Sequence, residues 1–169
     1  MVGCGIESAR QSTMTVVTCC DDDDSETGFV SEFYMWGFRD GVVLLADEVP
    51  ASQVMERWSA VAPQGASMLG PALSEVFSKM QLVTSKARFH STDRRTFRPK
   101  IMTFVMSDMM VLSDWESPVG DLLKLGQLIV VVTSGAPPAS IPPTLEARGV
   151  VVIPAPKLTE ATVSALLTS

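Results

Sequence analysis

The sequence predicts one α/β domain over residues 1–169, a three-layer α/β/α arrangement around an open, mostly parallel sheet with one antiparallel edge hairpin. Three observations predict it. First, Ile101–Met106, Leu128–Val132 and Val150–Ile153 are short and almost entirely apolar. Strands buried on both faces read this way, and they belong to parallel sheets covered by helices. Second, the segments between these runs carry helical spacing and helix-stopping glycines, which suits strand–helix–strand crossovers. Third, Asp40-Gly41 lies between two β-rich stretches, a hairpin signal. A chain of 169 residues is long enough for one core of this kind.

Each element has its own warrant. Ile6, Ala9, Thr13, Val16, Val17 and Cys20 fall on one helical face, although Thr13–Cys20 is also β-branched enough to read as a strand. Phe29–Phe38 and Val42–Leu45 read as the two strands of the hairpin. Gly65-Ala-Ser67 forms a turn and cap before a helix marked by Leu69, Leu73, Val76, Phe77 and Met80. Residues 84–99 are polar and basic and read as a long loop. Ser113-Asp-Trp-Glu116 has the form of a capping box, followed by Val119, Leu122 and Leu123 at helical spacing and a stop at Gly126. Ser140–Arg148 reads as a short helix ended by Gly149, with Pro142 and Pro143 restricting where it begins. Thr159–Leu167 reads as a final helix with Val163, Leu166 and Leu167 on one face.

Composition narrows the function. The net charge is -6, which argues against nucleic acid as a partner because phosphate binding asks for a basic surface. Charge is nevertheless uneven. Asp21–Asp24 is an acidic run, and Lys86, Arg88, Arg94, Arg95, Arg98 and Lys100 crowd one basic stretch. Each reads as a solvated loop or, more sharply, as a docking patch. The apolar runs are too short to span a bilayer, and the start Met1-Val-Gly-Cys-Gly5 has no signal-peptide pattern. Cys4, Cys19 and Cys20 show no metal-ligand spacing and are expected as reduced thiols of a cytoplasmic protein. The ten methionines are expected to fill core gaps.

Ligands of open α/β sheets bind at the carboxyl ends of strands. Asp108 stands there after Ile101–Met106, with Ser107 before it and Ser67 on a neighbouring turn. A carboxylate and hydroxyls are hard oxygen donors of the kind magnesium takes, although an aspartate there also serves simply to cap a turn. His90, the only histidine, lies in a basic polar stretch with no second ligand in view. Thr133-Ser-Gly135 is shaped like a phosphate-cradling turn but lacks the lysine of a P-loop. Trp115 reads as a packing residue, with a rim role beside Asp108 as the alternative.

Several segments resemble the von Willebrand factor A domain, most closely the bacterial type linked to tellurium resistance (TerY-like). Phe33–Leu45, with Gly37-Phe38-Arg39-Asp40, resembles that family's second and third strands. Gln64-Gly-Ala-Ser-Met-Leu-Gly-Pro-Ala-Leu73 resembles its Gly-Gly-Thr/Ser turn and helix. Arg98-Pro-Lys-Ile-Met-Thr-Phe-Val-Met-Ser-Asp108 resembles its Thr-Asp-Gly strand, with Met109 in place of the glycine. Ser113-Asp-Trp-Glu116 resembles the Asp-Asp-Trp-Glu that is common next in that type. The resemblance implies a metal-ion-dependent adhesion site in which Ser67 and Asp108 are the metal ligands.

That site's first motif, Asp-x-Ser-x-Ser, is missing together with the first strand. Met1-Val-Gly-Cys-Gly-Ile-Glu-Ser-Ala9 resembles the family's stretch just after the motif, so Ile6–Cys20 corresponds to its first helix and Asp21–Asp24 to the loop beyond. An acidic substitute motif at Asp21-Asp-Asp-Asp-Ser25 would lie at the opposite edge from Asp108. A missing central strand is expected to leave a gap or to force its neighbours together. If the full domain exists, an upstream extension of roughly 15 residues, judged from usual strand lengths, is expected to supply strand and motif; otherwise a partner strand or a second copy completes the sheet, or the chain is a degenerate fragment. With two ligands alone, Mg2+ or another divalent cation is expected to bind weakly, since hard cations take about six oxygens.

The resemblance implies a non-enzymatic, cytoplasmic protein-binding module of a tellurite or stress-response system, whose partner completes the metal shell with a carboxylate. No nucleic acid or membrane partner is expected. A phospho-acceptor receiver is the alternative, with Asp108, then Thr133 or Ser134, then Lys157 after successive strands and Asp21–Asp24 as its acidic pair. A degenerate copy without a working metal site is the third reading.

Overall fold

The apolar runs become strands because only a sheet covered on both faces hides every side chain of such a run. In the computed structural model, described over residues 4–28, 30–38, 41–61, 69–90, 99–109, 114–133 and 141–169, they form β3 (Met102–Ser107), β4 (Gln127–Val132) and β5 (Val151–Pro154). The three strands are parallel and ordered β3-β4-β5. Helices α4 (Glu116–Leu125) and α5 (Ile141–Ala147) make the crossovers, and α6 (Glu160–Thr168) comes after β5. The central strand β4 is the most enclosed, with Ile129 and Val131 fully buried.

Alternation along these strands sends side chains to two cores. Val105, Leu128 and Val130 pack with residues of α3 (Leu69–His90), α4 and α5. Phe104, Ile129, Val131 and Ile153 pack with α6 and with α1 (Cys4–Thr27).

The helix ends obey local chemistry. Gly149 adopts φ 91°; its N–H donates to Glu146 O at 2.9 Å and that of Val150 to Leu145 O at 3.1 Å. This is a Schellman end, and buried Leu145 and Val150 belong to one core across it. Thr159 caps α6, its Oγ1 accepting from Thr162 N. At the far end of α6, the Lys100 ammonium donates to the carbonyls of Leu166, Leu167 and Ser169. A cation at the carbonyl end complements the helix dipole. Lys100 is therefore committed to α6, which corrects its reading as part of a basic docking patch. Arg94, Arg95 and Arg98 lie outside the described residues, as do the side chains of Arg88 and His90, while Lys86 is exposed on α3.

The structure departs from expectation in several places, most of them in the amino-terminal half. The first helix does not stop at Cys20 but runs to Thr27, so Asp21–Asp24 is helical rather than a loop. Asp24 closes the end of the helix: its carboxylate accepts from Ser31 N and Ser31 Oγ, and its carbonyl from Gly28 N. Gly28, at φ 75°, supplies the left-handed turn. The hairpin forms as β1 (Phe33–Phe38) and β2 (Val42–Val49), antiparallel, but as a separate two-stranded sheet and not as the edge of the parallel one. The first part of the expected loop at residues 84–99 is helical, because α3 continues to His90, and residues 91–98 lie outside the described residues. Short helical turns at Ala51–Val54 (α2) and Met55–Ala60, and at Ala155–Lys157, had no sequence warrant.

A gap separates the two sheets. Among the described residues no strand pairs with β3 on the side away from β4, and none pairs with β1 on the side away from β2. Both strands instead line a cleft of about 1130 Å³, walled by α1 on one face and α3 on the other.

Candidate functional site

The carboxyl edge of the parallel sheet is built by its turns. Strand β3 ends at Ser107, which is 5% exposed, and its hydroxyl accepts from Met109 N at 3.1 Å. Such a short side-chain-to-backbone bond turns the chain sharply. Met109 takes φ 59°, a conformation that favours glycine, yet its side chain is 1% exposed in the core under α3 and α4. The strain is held because withdrawing the thioether from water offsets it. Between these two anchors Asp108 is lifted to the surface, half-buried.

The adjacent strand reinforces the turn. Thr133 N donates to Ser107 O at 3.0 Å, so the ends of β3 and β4 are in register, and Thr133 is itself buried. Lys157 comes after β5 on the same edge. Asp108, Thr133 and Lys157 therefore succeed three neighbouring strands, in the order expected from the sequence. Ser67, Ser134 and Ser113 lie outside the described residues.

The region after Asp108 corrects the reading of Ser113–Glu116. Helix α4 begins at Glu116 with Trp115 at its cap position and no side-chain cap bond. Glu116 is thus the first helical residue rather than the third, as a box opened by Ser113 requires. It accepts from Arg148 at 3.1 Å. Arg148 also lies over the Trp115 ring, 5.6 Å from its centroid. Trp115 is 9% exposed and packs in the core, so it holds α4 to the sheet rather than standing at a rim. The Arg148 contact joins segments 32 residues apart and has no sequence signature.

The donor set falls short of a complete cation shell. Among the described residues no three His, Cys, Asp or Glu side chains converge. Asp108 brings one carboxylate, and Ser107 and Thr133 bring hydroxyls that are both buried. Hard cations take about six oxygens, so most of a shell here would come from solvent and from a partner. The acidic run is no substitute motif in that sense: Asp24 is tied to Ser31 at the end of α1. Cys19 and Cys20 are free thiols buried on α1.

The chain matches no family model and no curated protein. Among the described residues no helix is long and apolar enough to cross a membrane.

Proposed function

We propose that this chain is a non-enzymatic protein-binding module of the von Willebrand A type, of the TerY-like kind, acting in the cytoplasm within a bacterial tellurite or stress response. Its binding face is the carboxyl edge around Asp108. The observation that carries the reading is the Asp108 turn: a half-buried carboxylate raised at the end of a parallel strand by a buried serine and a buried methionine. Such an edge is where open α/β sheets present their ligand-binding groups. The parallel strands, the hairpin and the order of motifs support the same reading, which takes the two sheets and their helices as parts of one three-layer domain.

Ser67 and Asp108 are the residues that would hold a divalent ion, which would supply a Lewis-acidic point for a partner carboxylate. The test is calorimetry with magnesium and with manganese on the purified chain, beside Asp108→Ala. Weak binding, in the millimolar range expected of few-ligand sites, is expected for the parent and none for the variant. Binding unchanged by the substitution would remove Asp108 from the site. Absence of binding to the parent would mean that the face works without metal or is degenerate.

The receiver alternative has one observation in its favour, the succession of Asp108, Thr133 and Lys157 along one edge. The helical acidic run and the antiparallel hairpin count against it. Trapping an acyl phosphate on the chain, with Asp108→Asn as control, separates the two; label that survives the substitution removes the receiver reading.

A further inference from the structure

The cleft between the sheets is bounded by two strand edges and two helices. Its β3 wall can be read atom by atom. Gln127 N donates to Ile101 O and Thr133 N to Ser107 O, each at 3.0 Å. Backbone groups alternate sides along a strand, so the odd-numbered residues of β3 face β4, while the N–H and C=O of Met102, Phe104 and Met106 face the cleft. Polar backbone groups at an apolar wall are costly without partners.

The same two helices cover both strands. Tyr34 and Trp36 of β1 and Val105 of β3 pack with α3 residues in one core. On the opposite face, Phe33 of β1 and Phe104 of β3 pack with Val16 of α1 in another. The walls between are apolar: Val16 and Val17 from α1, Leu73, Val76 and Met80 from α3. The Trp58 indole N–H also borders the cleft, shielded from solvent and without a hydrogen-bond partner among the described residues. Asp23, Asp24 and Glu32 border it as well, while Lys100, the one lysine there among the described residues, has its ammonium engaged by α6.

We propose that this cleft is a strand-acceptor site for a partner polypeptide. The occupant is an extended, mostly apolar and β-branched segment of about six residues, the length of β3, flanked by lysine or arginine. It hydrogen-bonds edge-on to Met102, Phe104 and Met106 and joins the two sheets. A small apolar ligand would satisfy the helix walls but not the strand edge; an extended backbone satisfies both. The acidic border selects the basic flank. This site runs along the β3 edge and meets the Asp108 turn at Ser107, but its backbone hydrogen bonds do not use the Asp108 carboxylate.

The test uses the full chain and a synthetic peptide, acetyl-Lys-Lys-Thr-Val-Ile-Val-Thr-Val-amide, read by amide hydrogen exchange. Saturable binding is expected to slow exchange at Met102, Phe104 and Met106 at least tenfold, with little change at Thr103 and Val105, already paired to β4. Peptides N-methylated at alternate residues, in either register, are expected to lose this protection. A Glu-Glu flank in place of Lys-Lys is expected to weaken binding about threefold, the scale of exposed ion pairs. Asp23→Lys with Glu32→Lys, both outside the core, is expected to reverse that preference. The proposal is overturned if the N-methylated peptides bind equally or if dodecanoate gives the same protection, which would make the cleft a pocket for apolar small molecules. Protection that grows with protein concentration alone would assign the cleft to a second copy. No binding by any peptide would also overturn it.

Discussion

Gly126 shows how one residue holds two strands in register. A Cβ at this position would stand 2.0 Å from Ile101 O and 2.8 Å from Ile101 C, against backbone that cannot swing aside. That same carbonyl accepts from Gln127 N at the start of β4. Gly126→Ala is therefore expected to cost about 2 kcal/mol or more, the scale of forced overpacking, measured by urea denaturation. A variant as stable as the parent would show that the approach is not required. From sequence Gly126 was legible as a helix stop, but its φ of -179° is ordinary extended backbone, and the real constraint is a contact 25 residues upstream. Cys20 carries a second residue-scale consequence. Burial pushes its thiol up to about 11, with Asp24, Cys19 and Asp23 adding in the same direction. In the unfolded chain a thiol ionises near 8.5. Because the folded value is raised, the contribution is complete below about pH 8.5 and is lost as pH climbs toward 11. The parent's denaturation midpoint is expected to fall more steeply over that window than that of Cys20→Ser; equal slopes would sink the assignment.

Among the elements, α1 is built against its own dipole. Its last turns hold Asp21–Asp24 and Glu26 and no basic residue. Carboxylates at the carbonyl end are unfavourable, and Glu26 is exposed. Glu26→Lys is expected to raise stability by about 0.3–1 kcal/mol at low salt and to lose most of that gain at about 1 M salt. No gain at low salt would mean that the charge is used elsewhere, as it is in the strand-acceptor proposal for Asp23. This helix also marks the limit of sequence reading. The apolar face from Ile6 to Cys20 announced it, but four aspartates in a row look like solvent and hide its last turns. The helix end is closed seven residues on, by the Asp24 bonds to Ser31 beyond the glycine turn, which no residue of the run itself announces. In α3 a polar and basic sequence likewise concealed continued helix. The strands of the parallel sheet were legible almost to the residue, because each is an unbroken apolar run, although burial on both faces holds for β4 and not for β5, where Val151 is exposed. The hairpin was legible as a pair, whereas its detachment from the other sheet was not, since sequence marks a strand far better than its lateral neighbour.

For the molecule as a whole, stability is expected to be uneven. Strand β4 has a partner on each side and complete burial at its centre. Among the described residues the hairpin sheet has two strands, with Val43 and Leu44 exposed. Native-state hydrogen exchange is expected to show Ile129–Val131 opening only with global unfolding, and β1–β2 opening at lower free energy. Equal opening energies would mean that the cleft does not divide the fold into separately cooperative parts. The candidate site was legible in part: Asp108 and its place at a strand end came from the apolar run before it. The support of that carboxylate by Ser107 and Met109, and the Arg148–Trp115 contact, depend on turns and cores that no local pattern encodes. The chain end carries a practical consequence of its own. Ser169 is gathered in by Lys100 and by Gln127, which donates to its hydroxyl at 2.8 Å, at the rim where β3 and β4 begin. Asp108 sits at the rim where β3 ends, about 20 Å away by the rise of six extended residues. A molecule tethered to a sensor surface through a linker after Ser169 would thus stand with its Asp108 rim outward, presenting that face to whatever flows past.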